Sequence, residues 1–463
     1  MKQIFFFVFL IAFSICQLTA NALDLNKKQK AKSKIEDKVV VSEVYRKLWN
    51  PKVQAKIDCD IEKYRKGDAL IEIINKNGNP VAGVTVGVKQ ITHDFLFGCN
   101  LFALGQLKTP ELNSKYERAF ANLFNFATVP FYWGGLEPQQ GHPRFEEGSE
   151  PIWRRPPPDQ LLKWCEDHNI TPKGHALMYS KNMFMPDWTE RNNSKVFLEQ
   201  AHKHIAGIAK RYGNKFSMWD VANEEMPRIR HLDQWHKVPD DYLTWCFREA
   251  ESLFPSDVDL LYNDGTYQVH NDTEEYMAIF RKLKKEGVRV DGMGIQFHIY
   301  NPSLMLEGKL FPPNQLIDVY KKLEQLDLPL YMTETTIAGK GENGSKIQAL
   351  VIENIYRLWF STPKMKGITY WNLGDGTAYK KENKAKGGLL DEEMNPKPAY
   401  KILDWLINHE WKTNETLKAD KKGKVQFRGF YGKYKVTVRY NGVLYEKEVN
   451  LTPSGSGRFS IQL

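Results

Sequence analysis

Two strand-like runs end in residues that could move protons. Trp219-Asp220-Val221-Ala222-Asn223-Glu224-Glu225 follows Phe216-Ser217-Met218, and Thr333-Glu334-Thr335-Thr336 follows Leu330-Tyr331-Met332. Opposed carboxylates are what glycosidic cleavage requires: one protonates the leaving oxygen while the other attacks the anomeric carbon or activates water. Read from residue types alone, glutamates at strand ends are equally well placed to be charges at helix N-termini. Nor does the spacing choose between Glu224 and Glu225. No group of residues has metal-ligand spacing, so neither a metal nor another cofactor is expected.

For the two glutamates to meet, their strands must share one sheet. Between about residues 93 and 408, short apolar strands such as Asp259-Leu260-Leu261-Tyr262 and Met293-Gly294-Ile295-Gln296 alternate with amphipathic stretches such as Phe197 to Tyr212 and Thr273 to Glu286. Repeated strand–helix units over roughly 300 residues predict an α/β fold with a parallel sheet, a (β/α)8 TIM barrel leading at that length. The 110 residues from Glu224 to Glu334 then make roughly three units of about 30–40 residues, putting both carboxylates at the C-terminal mouth. A doubly wound sheet is the alternative. Its nucleotide-binding version loses support, because no Gly-x-Gly-x-x-Gly run follows an early strand. Residues 51–92 and 409–463 read as β-rich segments. Ala69 to Ile74 and Val84 to Val88 alternate, and Tyr434 to Tyr440 and Leu444 to Val449 flank an Asn441-Gly442 hairpin turn. Each end is too short to stand comfortably alone, so the two either share one sandwich beside the barrel or form separate appendages.

Of the 463 residues, 42% are hydrophobic and 26% charged, which excludes a disordered or fibrous chain. Lys2, the apolar run Ile4 to Ile15 and Ala20-Asn21-Ala22 read as a secretory signal over residues 1–22. The run is shorter than a membrane span of about 20 residues. Lipid anchoring at Cys16 would need a small residue before it, and Ile15 stands there. Removing 22 of the 463 residues, Lys2 among them, leaves 441 and takes the formal charge from +9 to +8. The remaining positive charge has one tight cluster, Lys27 to Lys34, within a Lys-rich leader over residues 23–50. That reads as a solvated spacer, not a nucleic-acid contact. Cys59, Cys99, Cys165 and Cys246 fit buried thiols better than staples in a chain this large.

The words around the carboxylates carry a resemblance. Trp219 to Glu224 closely resembles the acid/base motif of glycoside hydrolase family 10, the endo-β-1,4-xylanases, and Met332-Thr333-Glu334 resembles its nucleophile strand. In the family's order come Gly174-His175-Ala176-Leu177, Met185-Pro186-Asp187-Trp188, Tyr262-Asn263-Asp264, Gly292 to His298, Gly367-Ile368-Thr369-Tyr370-Trp371 and Asn395 to Tyr400. The resemblance spans about residues 93–405. It implies a retaining double displacement, with Glu224 as acid and then base and Glu334 as nucleophile, and it assigns Glu225 a structural charge. It further implies that Asn223 binds the sugar 2-hydroxyl, that His298 orients Glu334, that Gln296 and His175 line the same subsite, and that Trp371 floors it. His202 and His204 read as surface residues on a helical face.

The match breaks in the sugar-gripping collar. Where the family has Asn-x-x-Lys-Trp after the second barrel strand, this chain has Val129-Pro130-Phe131-Tyr132-Trp133, and the Trp-His pair after the third strand appears as Tyr179-Ser180. Asn372 to Asp375 and Tyr379 also depart from the family pattern. Each lost contact to a substrate hydroxyl would cost about 1.5–3 kcal/mol unless Tyr132 and Tyr179 supply substitutes. The expectation is a secreted, monomeric hydrolase cleaving internal β-1,4-xylosidic bonds of a xylan-type polysaccharide. The alternatives are a decorated xylan or other β-glycan, a non-catalytic glycan binder on the same fold, and an adhesion protein working through its β-rich ends.

Overall fold

The computed structural model describes residues 42–230 and 234–463. The signal, the Lys-rich cluster and Cys16 lie outside them. Eight strands close a parallel barrel: β3 (Leu96–Asn100), β4 (Phe126–Pro130), β5 (Thr171–Met178), β6 (Met218–Asn223), β7 (Asp259–Asp264), β8 (Gly292–Ile299), β9 (Leu330–Ile337) and β10 (Met365–Tyr370), with β10 pairing back to β3. Strands β6 and β9 are buried along their whole length, as expected for parallel strands covered on both faces. Gly174 on β5 is required by packing, because a Cβ there would lie 2.0 Å from the Trp219 ring.

The helices follow from apolar stripes and caps. In Ser194–Tyr212, Asn193 Oδ1 accepts from the amides of Lys195 and Val196, and Phe197, Ala201, Ile205, Ile208 and Tyr212 face the barrel. His204 shares that stripe and is buried, contrary to the surface reading. Its ring stacks on Trp133 at 4.5 Å, and burial pulls its pKa down to about 3. His202 is exposed and bonds to Glu249 at 2.6 Å.

The ends of the chain interleave. Strand β1 (Lys66–Ile74) pairs antiparallel with β12 (Lys424–Phe430) and parallel with β15 (Arg458–Gln462). Strand β2 (Thr85–His93) lies between β11 (Asn414–Lys418) and β13 (Gly432–Tyr440), and β13 carries β14 (Val443–Leu451) at the edge. Ile71, Ile73, Val425, Phe427 and Ile461 of one sheet pack against Val86, Val88, Tyr434, Val436 and Val438 of the other. Asn441 and Gly442 both have positive φ, the conformation a tight hairpin turn needs.

Three boundaries differ from the sequence reading. Residues 51–65, assigned to the β-rich segment, form helix α2 (Pro51–Arg65), following the short α1 (Glu43–Leu48). Asn50 caps α2, Pro51 takes its first turn, and Ile57, Ile61 and Arg65 recur every four residues on the buried face. The leader therefore ends before residue 42: Ser42 Oγ donates to the Leu306 carbonyl, and Gln54 Nε2 to Asn354 Oδ1 at 2.9 Å, tying this stretch to the barrel. At the other end, the last barrel helix runs past residue 408 to Glu410, and Trp411 stacks on Phe360 at 4.2 Å. Cys99, Cys165 and Cys246 are buried thiols. Among the described residues, no helix is long and apolar enough to cross a membrane.

Candidate active site

Glu224 and Glu334 come together at the carboxyl-end mouth of the barrel. The chain turns as β6 ends: Glu224 has φ +57°, and its N–H donates to the Asn263 carbonyl at 3.0 Å. A non-glycine residue in that region costs about 1–3 kcal/mol and is commonest where function demands it. The turn separates the two glutamates that sequence left side by side. Glu225 opens the helix Glu225–Arg230 and is buried, accepting from Arg228 Nε at 2.6 Å and Ser180 Oγ at 3.2 Å. Burial raises its carboxyl above the usual range despite those two donors.

Glu334 sits midway along β9, 4% exposed. Its Oε1 accepts from Asn263 Nδ2 at 2.8 Å and from Gln296 Nε2 at 3.2 Å. Its Oε2 meets His298 Nε2 at 3.3 Å. The same Gln296 nitrogen reaches Glu224 Oε1 at 3.1 Å. One amide thus spans both carboxylates. Gln296 and His298 alternate on β8, so both face the mouth, and β8 registers Gln296 beside Glu334 and His298 beside Thr336.

The surrounding side chains are held in turn. Asn223 Oδ1 accepts from Asn263 Nδ2 at 2.7 Å, which leaves the Asn223 amide nitrogen as its donor toward a ligand. His298 Nδ1 contacts Thr336 Oγ1 at 2.9 Å. Burial opposes charge on His298, but the bond to Glu334 and the charges of Glu334, Glu382 and Glu224 outweigh it and raise its pKa. On the opposite wall, His175 Nδ1 bonds to Asp220 Oδ2 at 2.6 Å, and Lys173 Nζ reaches the same oxygen at 2.6 Å. Burial alone would raise the Asp220 carboxyl; Lys173 and His175 more than compensate and hold it below the usual range. The His175 Nε2 edge points at Tyr132 Oη (3.0 Å) and Glu334 Oε1 (3.8 Å). Trp371 packs edge-on to His175 at 5.4 Å, with 5% of its surface exposed.

The altered collar is an aromatic pile. Phe184 stacks at 4.7 Å on both Tyr132 and Tyr179, with Phe102, Trp235 and Trp371 around them. Tyr179 Oη donates to Glu224 Oε2 at 2.6 Å, so the hydroxyl engages the carboxylate itself. All nine site residues named from sequence therefore converge on one mouth. Sequence reasoning passed over Asn263, the hinge between Asn223 and Glu334, although it lies in a quoted motif at the matching end of the next strand. It also missed Asp220 and Lys173, whose pairing spans two strands, and Phe184, which arrives from the short 3-10 turn Asn182–Phe184. Asp375 is taken by Lys397 Nζ at 3.2 Å and the Gly388 amide at 2.8 Å. Among the described residues, no group of His, Cys, Asp or Glu is arranged to hold a metal ion.

A closed (β/α)8 barrel with paired carboxylates at its carboxyl-end mouth is the architecture of the barrel glycosidases. The sequence profile of glycosyl hydrolase family 10 matches residues 93–404, and the chain belongs to that family. It is 24% identical over 400 residues to the anti-sigma-I factor RsgI6 of Acetivibrio thermocellus, covering 86% of this chain and 48% of that protein. To the endo-1,4-beta-xylanase 5-like protein of Arabidopsis thaliana it is 26% identical over 406 residues, covering 83% and 64%. The chain thus spans about half to two thirds of the length of these relatives. The crystal structure of xylanase 10B from Thermotoga petrophila RKU-1 in complex with xylobiose superposes with a TM-score of 0.53 at 22% identity, covering 68% of this chain and 95% of that one.

Proposed function

We propose that the protein is a retaining glycoside hydrolase that cleaves internal β-1,4-xylosidic bonds by double displacement. The observation that carries the proposal is the Gln296 amide bonded to both carboxylates at 3.1 and 3.2 Å, which brings the pair close enough to act on one glycosidic bond. In the first step Glu334 attacks the anomeric carbon, the glycosidic C–O bond breaks, and Glu224 gives its proton to the leaving oxygen. In the second, Glu224 takes a proton from water, the water oxygen attacks the same carbon, and Glu334 leaves as a carboxylate. Three donors, Asn263, Gln296 and His298, hold Glu334 in position. Asn223, His175 and Trp371 line the subsite of the sugar under attack.

Xylan as substrate is supported by family membership and by the xylanase names of several relatives. The aromatic pile at Tyr132, Phe184 and Tyr179 favours a decorated xylan or another β-glycan over the plain polymer, because it fills the place where a polar collar was expected. We extend the proposal to export, supported by Lys2, the apolar run after it and Ala20-Asn21-Ala22. The test is hydrolysis of linear and decorated β-1,4-xylans by the parent and by Glu334→Ala, with the first-formed anomer followed by NMR. Xylo-oligosaccharides released by the parent alone, with the β anomer first, bear the proposal out. The α anomer first would exclude double displacement, and no release from any xylan would exclude the substrate.

A further inference from the structure

Beside the collar lies a cation with no counter-ion among the described residues. The turn at residues 152–155 is pinned from both sides by Gln106, whose Oε1 accepts from the Arg154 amide at 2.7 Å and whose Nε2 donates to the Ile152 carbonyl at 2.9 Å. Arg154 has φ +63° and is buried, its guanidinium donating to Asn372 Oδ1 at 2.7 Å and to the Thr377 carbonyl. Arg155 runs the other way. Its stem crosses the bare Cα of Gly135, where a Cβ would come within 2.8 Å of Arg155 Cγ. Its guanidinium lies 4.0 Å from the centre of the Tyr132 ring, with Phe102 and Phe184 at 5.5 and 5.9 Å.

This guanidinium is half-buried, preorganised and largely unspent. Of its five N–H donors, one has a partner among the described residues, the Arg154 carbonyl at 2.7 Å. Burial lowers its pKa to about 10, and the ionisable groups acting on it are Tyr132, Arg154 and Tyr379, so it is charged at neutral pH with no acid among them. A desolvated cation without an anion is unfavourable, and the planar fork of arginine fits a carboxylate through two parallel bonds. The Tyr132 ring beneath it touches His175, which in turn faces Glu334.

We propose that Arg155 forms a carboxylate-binding subsite next to the reaction centre, so that the enzyme selects β-glycan chains carrying a uronic acid there. This rests on the hydrolase reading above and specifies its substrate class. The test compares the parent, Arg155→Gln, Arg155→Lys and, as a control of equal charge loss on the distant exposed turn at residue 421, Lys421→Gln. Each is assayed for kcat/KM on glucuronoxylan and on the same polymer after carboxyl reduction, and for retention in gels containing either polymer, with Glu334→Ala added to every protein. The expected result is a fall of about 10- to 100-fold in the acidic-over-neutral preference for Arg155→Gln, partial recovery with Arg155→Lys and no change with Lys421→Gln. Equal preference in the parent and Arg155→Gln, by turnover and by retention, would overturn the subsite while leaving the hydrolase reading intact. Retention that depends on Arg155 without turnover of either polymer would keep the subsite and refute the hydrolase reading.

Discussion

The hydroxyl of Tyr179 should matter more for turnover than for folding. It donates to Glu224 Oε2 at 2.6 Å, while the ring beneath it is held by Phe184 and Trp235. Tyr179→Phe keeps those ring contacts and removes one charge-assisted bond of about 1.5–3 kcal/mol. At 1.36 kcal/mol per tenfold in rate, that is roughly 10- to 100-fold in kcat/KM, the lower half being favoured because Glu224 keeps Gln296 and is partly open to water. The same bond is lost from the folded state, so at about 2 °C or less per kcal/mol for a chain of this size the thermal midpoint should fall by only a few degrees. Tyr179→Ala should lose more activity and also stability, as the stacked ring goes too. The assay is steady-state kinetics on an aryl xylobioside, with a thermal melt in parallel. Parent-like kcat/KM in Tyr179→Phe would refute the claim that this hydroxyl positions the acid. A collapse of the fold would refute the claim that its structural contribution lies in the ring.

Gln296→Ala removes the nitrogen shared by both carboxylates and should cost about 100-fold in kcat/KM; a loss under about threefold would contradict the bridging role. His298 has its pKa raised by its contact with Glu334, so that contact contributes stability fully below the unfolded-state value of about 6.5 and loses it as pH rises through the higher folded value. The unfolding free energy of the parent over His298→Gln should therefore shrink between pH 6 and pH 9, and a gap that widens instead would reverse the assignment. Asp220→Asn leaves Lys173 buried without its anion and should destabilise by about 3–5 kcal/mol in urea unfolding, whereas a loss under about 1 kcal/mol would mean that water reaches the pair. Deleting residues 412–463 strips the partners of β1 and β2 and exposes Ile71, Ile73, Val86 and Val88; a soluble fragment with a cooperative melt would contradict the interleaved core.

The carboxylate pair was legible because a three-unit spacing sets the two strand ends across one mouth and the motifs around them resemble those of the family; strand-end polarity alone left a helix-terminus role open. What remained hidden depends on tertiary packing. Glu224 and Glu225 differ only through a left-handed turn that periodicity does not encode. His204 looks like any polar residue on a helix until Trp133 covers it. The helical start at Pro51 was present as a capping Asn50 and a four-residue repeat of buried positions, but the alternating strands directly after it made the whole stretch read as β. Tyr132 and Tyr179 were visible as departures from a family pattern. Their packing emerges only with Phe184 stacked against both and Arg155 over Tyr132, delivered by a short 3-10 turn and a loop whose course no local rule predicts.

The most direct test of the account is whether Glu334 forms a covalent bond to the sugar. The parent enzyme is incubated with a fluorinated xylobioside bearing a good leaving group, then followed by intact mass and peptide mapping. The expected result is one glycosyl adduct, on the peptide containing Glu334, and none on Glu334→Ala. An enzyme that turns over the unfluorinated glycoside yet yields no adduct, or carries it on another carboxylate, would contradict it.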